Sequence, residues 1–263
     1  ENYPYDTQGQ FDWRGAKDFY EPIGLLTWLA GQTQTLRLGT SVLILPYRNP
    51  VELAKRLSTL DQLSGGRILL GVGTGWWASE FEALGLGSHF GERGARTDEC
   101  IQVLRNLWTA EEPAFEGRFY QYADLEFSPK SFQKGGIPIW VGGHTKRALR
   151  RVAELGDVWH PIVLRPPASV TPEELISARA DLARLCDKAG RDAEAISTAI
   201  RCRVSYGPRT GVLSGEVEQV TEDLRAYTAA GVSHITLDFA TENLSEFLDM
   251  LERTAARMLP ALR

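Results

Sequence analysis

The 263-residue sequence is poor in cysteine and has no long apolar run. Its three cysteines are widely spaced and form no Cys-x-x-Cys pair, which excludes a disulfide scaffold and a zinc ribbon. No stretch of 18 consecutive apolar residues occurs, so the sequence offers no candidate for a membrane-spanning helix. Three reduced thiols are typical of a cytoplasmic protein. We expect Cys100, Cys186 and Cys202 to be packing residues rather than catalytic thiols.

An excess of basic residues is also missing. The 29 Lys and Arg residues are outnumbered by 34 Asp and Glu residues, and a net charge of −5 argues against a nucleic-acid partner. The sequence lacks the His-Glu-x-x-His motif of zinc peptidases and the Gly-x-Ser-x-Gly motif of serine hydrolases. None of the four histidines has a second ligand at metal-binding spacing, so we expect no metal site.

Strand and helix patterns alternate along the chain. The apolar runs predict strands at 36–45, 68–72, 137–141, 158–163, 199–206 and 234–239. Amphipathic segments predict helices at 21–34, 50–63, 96–109, 146–155, 172–189, 216–230 and 244–258. Strands that alternate with helices predict parallel strands joined by helical crossovers. The sequence therefore belongs to the α/β class.

A closed (β/α)8 barrel needs eight strand–helix units in about 250 residues. Six strands and a leading helix without a preceding strand are visible, so we expect the N-terminal strand–helix–strand of such a barrel to be missing from this chain. The alternative is an open, doubly wound sheet, which requires no closure. Residues 112–135 interrupt the alternation with a small hairpin around Gly117, interpreted as an insertion within one domain that spans residues 1–263.

Alternate glycines at positions 71, 73 and 75 end the second predicted strand. A dinucleotide fingerprint, Gly-x-Gly-x-x-Gly, would need glycine at position 76, where Trp76 stands. Because glycine lets the backbone approach a flat ligand closely, we expect a ligand site here that is not of the dinucleotide type.

The ends of the predicted strands supply the other candidate residues, because the active site of a parallel α/β barrel lies at the C-terminal ends of its strands. The turn 142–145 opens a helix, and its free amides suit a phosphate, although an ordinary strand-to-helix turn would carry the same glycines. His160 ends a strand and is a candidate for proton transfer; the alternative is a hydrogen-bonded structural histidine.

Several ordered motifs resemble those of the bacterial-luciferase-like oxidoreductases. They are LGTSVLILP at 38–46, LDQLSGGR at 60–67, GVGTGW at 71–76, ERGAR at 92–96 and IWVGG at 139–143. The resemblance extends from about residue 20 to 260 and is strongest to the coenzyme F420-dependent branch. It implies a (β/α)8 TIM barrel with an insertion before the fifth strand, in which the strands seen here are numbers three to eight.

The resemblance also implies a cofactor site. Coenzyme F420 is expected, with FMN as the alternative, and a cis peptide bond is expected between Ser41 and Val42. The implied cofactor-binding residues are Thr40, Ser41, Val42, Gly73, Thr74, Gly75, Gly142, Gly143, His144 and Thr145. The phosphate is expected at the last four of these.

The expected substrate wall consists of Trp13, Tyr47, Trp77 and Arg209. Trp76 occupies the position at which the sugar-phosphate dehydrogenase branch carries a carboxylate, so that acid role is not carried over. His160 then remains as the catalytic candidate. We expect F420-dependent hydride transfer to or from a small organic molecule, by a homodimer.

Three alternatives remain open at this point. A reduced-FMN monooxygenase would keep the same fold and phosphate site. An incomplete barrel could bind a flavin without turnover. A phosphate-binding isomerase or aldolase would need a lysine or paired acids at strand ends, which the visible strands do not offer.

Overall fold

The computed structural model describes residues 19–164, 169–241 and 243–262. The chain divides into two compact units. Among the described residues, the first unit comprises Tyr20–Gly142 and Arg151–Val158, and the second comprises Gly143–Arg150 and the residues from Trp159 onward. Trp13, one of the expected substrate residues, lies outside the described residues.

The strands of the described residues are β1 (Leu38–Gly39), β2 (Leu43–Ile44), β3 (Ile68–Gly73), β4 (Phe115–Glu116), β5 (Gln121–Tyr122), β6 (Ile139–Gly142), β7 (Val158–His160), β8 (Ile162–Val163), β9 (Ser197–Tyr206), β10 (Ser214–Gly215) and β11 (His234–Phe239). The α-helices are α1 (Pro22–Gln32), α2 (Pro50–Ser64), α3 (Ala78–Ala83), α4 (Arg93–Thr109), α5 (Lys146–Leu155), α6 (Pro172–Ala189), α7 (Val217–Ala229), α8 (Leu244–Arg253) and α9 (Leu259–Leu262). No helix in these ranges is both long and apolar enough to cross a membrane.

Local capping explains why the helix boundaries follow the sequence closely. In α2 the Asn49 side chain accepts hydrogen bonds from the first-turn amides, Pro50 occupies the first helical position, and Gly65 ends the helix at φ 65°. A capping box between Thr171 and Glu174 begins α6. The predicted helices over these segments are confirmed to within one residue.

A parallel sheet forms the centre of the first unit. Strand β3 pairs in parallel with β1, β2 and β6, with Ile44 opposite Gly73 and Leu70 opposite Ile139. Because these strands all run in one direction, the residues that follow them emerge at the same edge of the sheet. The helices α2 and α4 pack against each other with fully buried leucines such as Leu57.

The second unit has its own parallel pairs around β9. Strand β9 pairs with β8, β10 and β11, with Arg201 opposite Ile162 and Ala199 opposite His234. In β9 the residues 198–200 are buried, as are Cys202 and Val204, whereas Arg201 is part-buried and Arg203 is exposed. The parallel α/β arrangement predicted from the alternating pattern is therefore found in both units.

Two predicted strands are interrupted. The strand predicted at 36–45 is divided into β1 and β2 by residues 40–42, and the Ser41–Val42 peptide bond is cis, as expected. The strand predicted at 158–163 is divided at Pro161, which has no amide hydrogen to donate to a neighbouring strand. Helix α3 and strand β10 were not predicted.

The hairpin predicted around Gly117 is confirmed. Strands β4 and β5 pair antiparallel, with Phe115 opposite Tyr122. The Glu99 carboxylate on α4 holds the turn, because it accepts hydrogen bonds from three consecutive amides, those of Arg118, Phe119 and Tyr120, at 3.0, 2.8 and 2.7 Å. The hairpin is thereby fixed to α4.

Candidate cofactor and substrate site

The alternate glycines at 71, 73 and 75, in and just after β3, face residues 40–44 of the same chain, which lie between β1 and β3 in the sequence. A Cβ built at Gly71 would lie against the Thr40 carbonyl oxygen. One at Gly73 would come within 2.6 Å of Val42 Cγ2, and one at Gly75 within 3.0 Å of Ile44 Cγ2 and Phe81 Cε2. The contacting positions are thus 71 with 40, 73 with 42 and 75 with 44. They are two residues apart in both segments, because every second side chain of an extended strand points to the same face. The close approach that the sequence predicts at these glycines is therefore made by the protein's own neighbouring segment.

Val42 forms a small apolar platform at this edge of the sheet. Its side chain lies against Gly73 and also against Gly142, where a Cβ would come within 3.1 Å of Val42 Cγ1. The Thr40 hydroxyl donates to the Gly71 carbonyl oxygen at 2.7 Å and fixes the segment in place. Val42 nevertheless remains 40% exposed. The Val42 platform, defined as Val42, Gly73 and Gly142, is a closely packed apolar surface of the kind that supports a flat ring.

A hydrogen-bonded pair lies beyond the ends of β2 and β3. The Tyr47 hydroxyl donates to Glu80 Oε2 at 2.6 Å, and the Tyr47 ring packs edge-on against buried Phe81 at 4.7 Å between centroids. Burial raises the pKa of the Tyr47 hydroxyl, and the hydrogen bond and charge of Glu80 raise it further. Tyr47 therefore remains a donor at neutral pH. Tyr47 was expected at the substrate wall from the sequence, whereas its partner Glu80 was not among the expected site residues.

Two stacked tryptophans, Trp76 and Trp77, directly precede helix α3, which contains Glu80. The rings of Trp76 and Trp77 lie parallel, with an interplanar angle of 3° and centroids 5.6 Å apart. The Trp77 carbonyl oxygen accepts a hydrogen bond from the Glu80 amide at 3.2 Å. Trp77, predicted to face the substrate, is thus brought within one turn of Glu80. The Thr74 hydroxyl bonds locally to the Gly75 carbonyl oxygen at 3.3 Å.

The turn that opens α5 has the features of an anion site. Gly143 adopts a φ of 102°, and its carbonyl oxygen accepts a 2.8 Å hydrogen bond from the indole nitrogen of fully buried Trp159. The Thr145 hydroxyl accepts from the Ala148 amide at 3.2 Å. Nδ1 of His144 is buried and has no hydrogen-bond partner among the described residues. An orphaned buried nitrogen beside free helix amides fits a bound phosphate.

His160 has the environment of a structural residue. It is only 1% exposed, and its Nδ1 lies 3.1 Å from the Ala199 carbonyl oxygen. Burial lowers the pKa of His160 to about 4, outweighing that hydrogen bond, and the nearby charges of Arg201 and His234 lower it further. His160 thus has the buried, hydrogen-bonded environment that the structural alternative requires, and its catalytic role stays a prediction.

Arg209 is held by groups of its own loop. Its guanidinium binds both carboxylate oxygens of Asp223 at 2.9 and 3.0 Å and also the Ser214 carbonyl oxygen at 3.1 Å. These bonds close the loop between β9 and α7. The bonds give Arg209 a loop-anchoring role, and the substrate contact expected of it stays a prediction. No group of three His, Cys, Asp or Glu side chains within the described ranges could hold a metal ion.

Comparison with known proteins identifies the family. The luciferase-like monooxygenase family matches residues 5–261, and the chain belongs to it. An uncharacterized protein of Mycobacterium tuberculosis is 37% identical over 189 residues, which cover 72% of this chain and 62% of that protein. This chain thus spans less than two thirds of that relative's length.

Relatives with named activities use two kinds of cofactor. The F420-dependent glucose-6-phosphate dehydrogenase of Segniliparus rotundus is 27% identical over 287 aligned positions, 90% of this chain and 84% of that one. The FMNH2-dependent dimethylsulfone monooxygenase of Pseudomonas putida is 34% identical over 147 residues, 56% of this chain and 40% of that one. These relatives support a luciferase-like oxidoreductase.

Solved structures show the fold. The monooxygenase RslO1 from Streptomyces bottropensis superimposes with a TM-score of 0.79 at 19% identity, covering 92% of this chain and 83% of that one. An F420-dependent secondary alcohol dehydrogenase superimposes with a TM-score of 0.78 at 17% identity, covering 93% and 84%. The expected fold class, the luciferase-like TIM barrel, is confirmed.

Proposed function

We propose that the protein binds coenzyme F420 and transfers hydride to or from a small organic substrate. The F420-dependent relative from Segniliparus aligns with 90% of this chain, whereas the FMNH2-dependent relative from Pseudomonas aligns with 56%. This difference in coverage favours F420. Reduced FMN is the second candidate, because it shares a tricyclic ring and a ribityl phosphate with F420.

The observation that carries the proposal is the Val42 platform. Val42 is supported from behind by Gly73 and Gly142 and presents an exposed apolar face. Such a surface would hold a flat ring in one orientation and keep water from its covered side. When bound, the cofactor supplies the two-electron redox chemistry, while this part of the chain positions the ring.

A phosphate would be held at the start of α5. The amides of Gly143 and His144 and the orphaned His144 Nδ1 would supply donors, and Thr145 lies beside them. Trp159 would keep the turn open through its hydrogen bond to the Gly143 carbonyl oxygen.

Titration of the full-length protein with F420 and with FMN tests the proposal. We expect saturable binding of F420, seen as a change in its absorbance, with weaker binding of FMN. Tight binding of FMN alone would favour the monooxygenase alternative. Binding of neither would overturn the proposal, and binding without turnover of any redox substrate would favour a non-catalytic flavin-binding protein.

Two variants locate the cofactor. Val42→Ala should weaken binding of F420, whereas Val212→Ala, at another exposed valine, should not. His144→Leu should weaken binding of F420 and FMN but leave their phosphate-free analogues, including riboflavin, unaffected, because only the phosphate would meet Nδ1. His89→Leu is the matched control. Equal losses for riboflavin and FMN would contradict the phosphate assignment.

A further inference from the structure

Glu80 is a part-buried carboxylate whose charge is not compensated within the described residues. Its Oε2 accepts the Tyr47 hydroxyl at 2.6 Å, and this is its only side-chain partner among those residues. The arginines of this region bind other groups. Arg48 pairs with Glu21 at 3.0 Å, and Arg93 donates to the Gly75 and Phe90 carbonyl oxygens. Glu80 Oε1 is therefore open to a hydrogen-bond donor.

The surroundings of Glu80 are rigid and aromatic. Tyr47 packs on Phe81, and Phe81 packs in turn on Phe90 at 5.2 Å between centroids. The stacked indoles of Trp76 and Trp77 precede Glu80 by one helical turn. A carboxylate fixed at one oxygen and flanked by rings suits a ligand that has one polar donor and an apolar body.

Glu80 and the Val42 platform share one edge of the sheet of the first unit. Ile44 of β2 pairs with Gly73 of β3, so the residues that follow both strands emerge together. A chain of contacts continues from there, because Gly75 lies against both Ile44 and Phe81, on which Tyr47 packs. The carboxylate is thus linked to the platform by this series of contacts.

We propose that Glu80 is the catalytic acid–base group on the substrate side and that Tyr47 is its positioning residue. The substrate class is an uncharged alcohol, or the corresponding ketone, whose apolar part contacts Trp76 and Trp77. This inference rests on the proposed F420-dependent function. Trp76 stands where the sugar-phosphate dehydrogenase branch carries a carboxylate, and Glu80 lies four residues later.

In the direction of oxidation, the alcohol loses a proton from its hydroxyl group and a hydride from the adjoining carbon. Glu80 Oε1 takes the hydroxyl proton, and the electron pair of the broken O–H bond becomes the second carbon–oxygen bond of the ketone. A bound oxidised deazaflavin would supply the acceptor for the hydrogen on the same carbon, which would leave with its electron pair. Glu80 then returns its proton to solvent. In the direction of reduction each transfer is reversed.

Binding of cyclohexanol to the cofactor-free protein tests this assignment, followed by NMR of the indole N–H signals of Trp76 and Trp77. We expect Glu80→Gln to weaken cyclohexanol binding by about tenfold, because a hydrogen bond to a charged acceptor is lost. Glu80→Asp should recover part of it. Glu82→Gln, an exposed residue of the same helix, is the matched control and should bind like the wild type.

Additional measurements distinguish failure of the Glu80 assignment from failure of the proposed function. F420 affinity should stay within about twofold in Glu80→Gln, since Glu80 contacts the substrate and not the cofactor. Equal cyclohexanol binding by wild type and Glu80→Gln would overturn the assignment, as would tighter binding of cyclohexylammonium or cyclohexanecarboxylate. Failure of the wild type to bind F420 or FMN would refute the proposed function, while the cyclohexanol result would still decide whether Glu80 binds a hydroxyl.

The variant Tyr47→Phe tests whether Tyr47 positions the Glu80 carboxylate or only packs against Phe81. The variant keeps the ring that packs on Phe81 but removes the donor to Glu80. In the F420-loaded enzyme we expect kcat for an alcohol to fall more than KM rises, with a shifted pH profile. An unchanged pH profile with normal kcat would show that Tyr47 has only a packing role.

Discussion

Val42 Cγ2 occupies the space next to Gly73 into which the Cβ atom of any other residue would project. A Cβ atom on Gly73 would come within 2.6 Å of it, closer than real Cβ contacts allow. Gly73 does not adopt a positive φ, so glycine is required at this position for space rather than for backbone conformation. The pair therefore fixes how closely segment 40–44 can approach β3.

Gly73→Ala should lower the free energy of unfolding by about 1–3 kcal/mol, because the added methyl overpacks the contact with Val42. Adding Val42→Ala to that variant should recover part of the loss, since the two side chains compete for one space. Urea unfolding of the wild type, the two single variants and the double variant measures this coupling. Gly31→Ala is the control, as a Cβ there meets nothing within 4 Å. Equal effects of Gly73→Ala and Gly31→Ala would contradict the packing argument.

Glu99→Ala should release the hairpin formed by β4 and β5. Three amides lose their common acceptor, and each uncompensated buried donor costs about 1–3 kcal/mol unless water reaches it. We expect faster cleavage by trypsin at Arg118 with a smaller change in global stability. Glu116→Ala, on the exposed side of β4, is the control. Unchanged proteolysis would show that other contacts hold the hairpin.

His160 should make the protein less stable in mild acid. Its pKa is about 4 in the folded state against an ordinary value of 6.5, so the unfolded chain binds more protons between these two pH values. The contribution is fully present above pH 6.5 and is lost as the pH falls toward 4. The difference in unfolding free energy between wild type and His160→Gln, measured from pH 7 to 4.5, should therefore shrink with acidification. A pH-independent difference would contradict the burial of a neutral imidazole.

All three thiols should be unreactive in the native protein. Cys100, Cys186 and Cys202 are free and buried. Burial raises the pKa of each thiol, to about 12 for Cys100 and Cys202, so little thiolate forms at neutral pH. A disulfide reagent such as DTNB should label them only after denaturation. Rapid labelling of the folded protein would show that at least one thiol has access to solvent.

Much of the fold could be predicted because its signals are local. The Pro50 start of α2, the Thr171 start of α6 and the hairpin around Gly117 each depend on residues only a few positions apart. The resemblance in the motifs likewise placed the Ser41–Val42 cis bond and the family. Helix α3 was missed because it is only six residues long and follows two tryptophans that suggest a loop.

The roles of single residues were harder to predict. His160 ends a strand as expected, yet the packing around β9 buries it against Ala199. Arg209 lies on a loop as expected, but Asp223 and Ser214 occupy its guanidinium. Whether a polar side chain at a strand end faces a ligand depends on neighbours that are distant in the sequence.

The sequence by itself determined the order of the elements, the parallel direction of the strands and the family, because capping, periodicity and motif order are properties of short stretches. Only the tertiary structure decided what the glycines of β3 face and which carboxylate meets Tyr47. Those contacts join residues about 30 positions apart, and the register between β2 and β3 sets them. Register is a property of the packed sheet, so no local pattern specifies it.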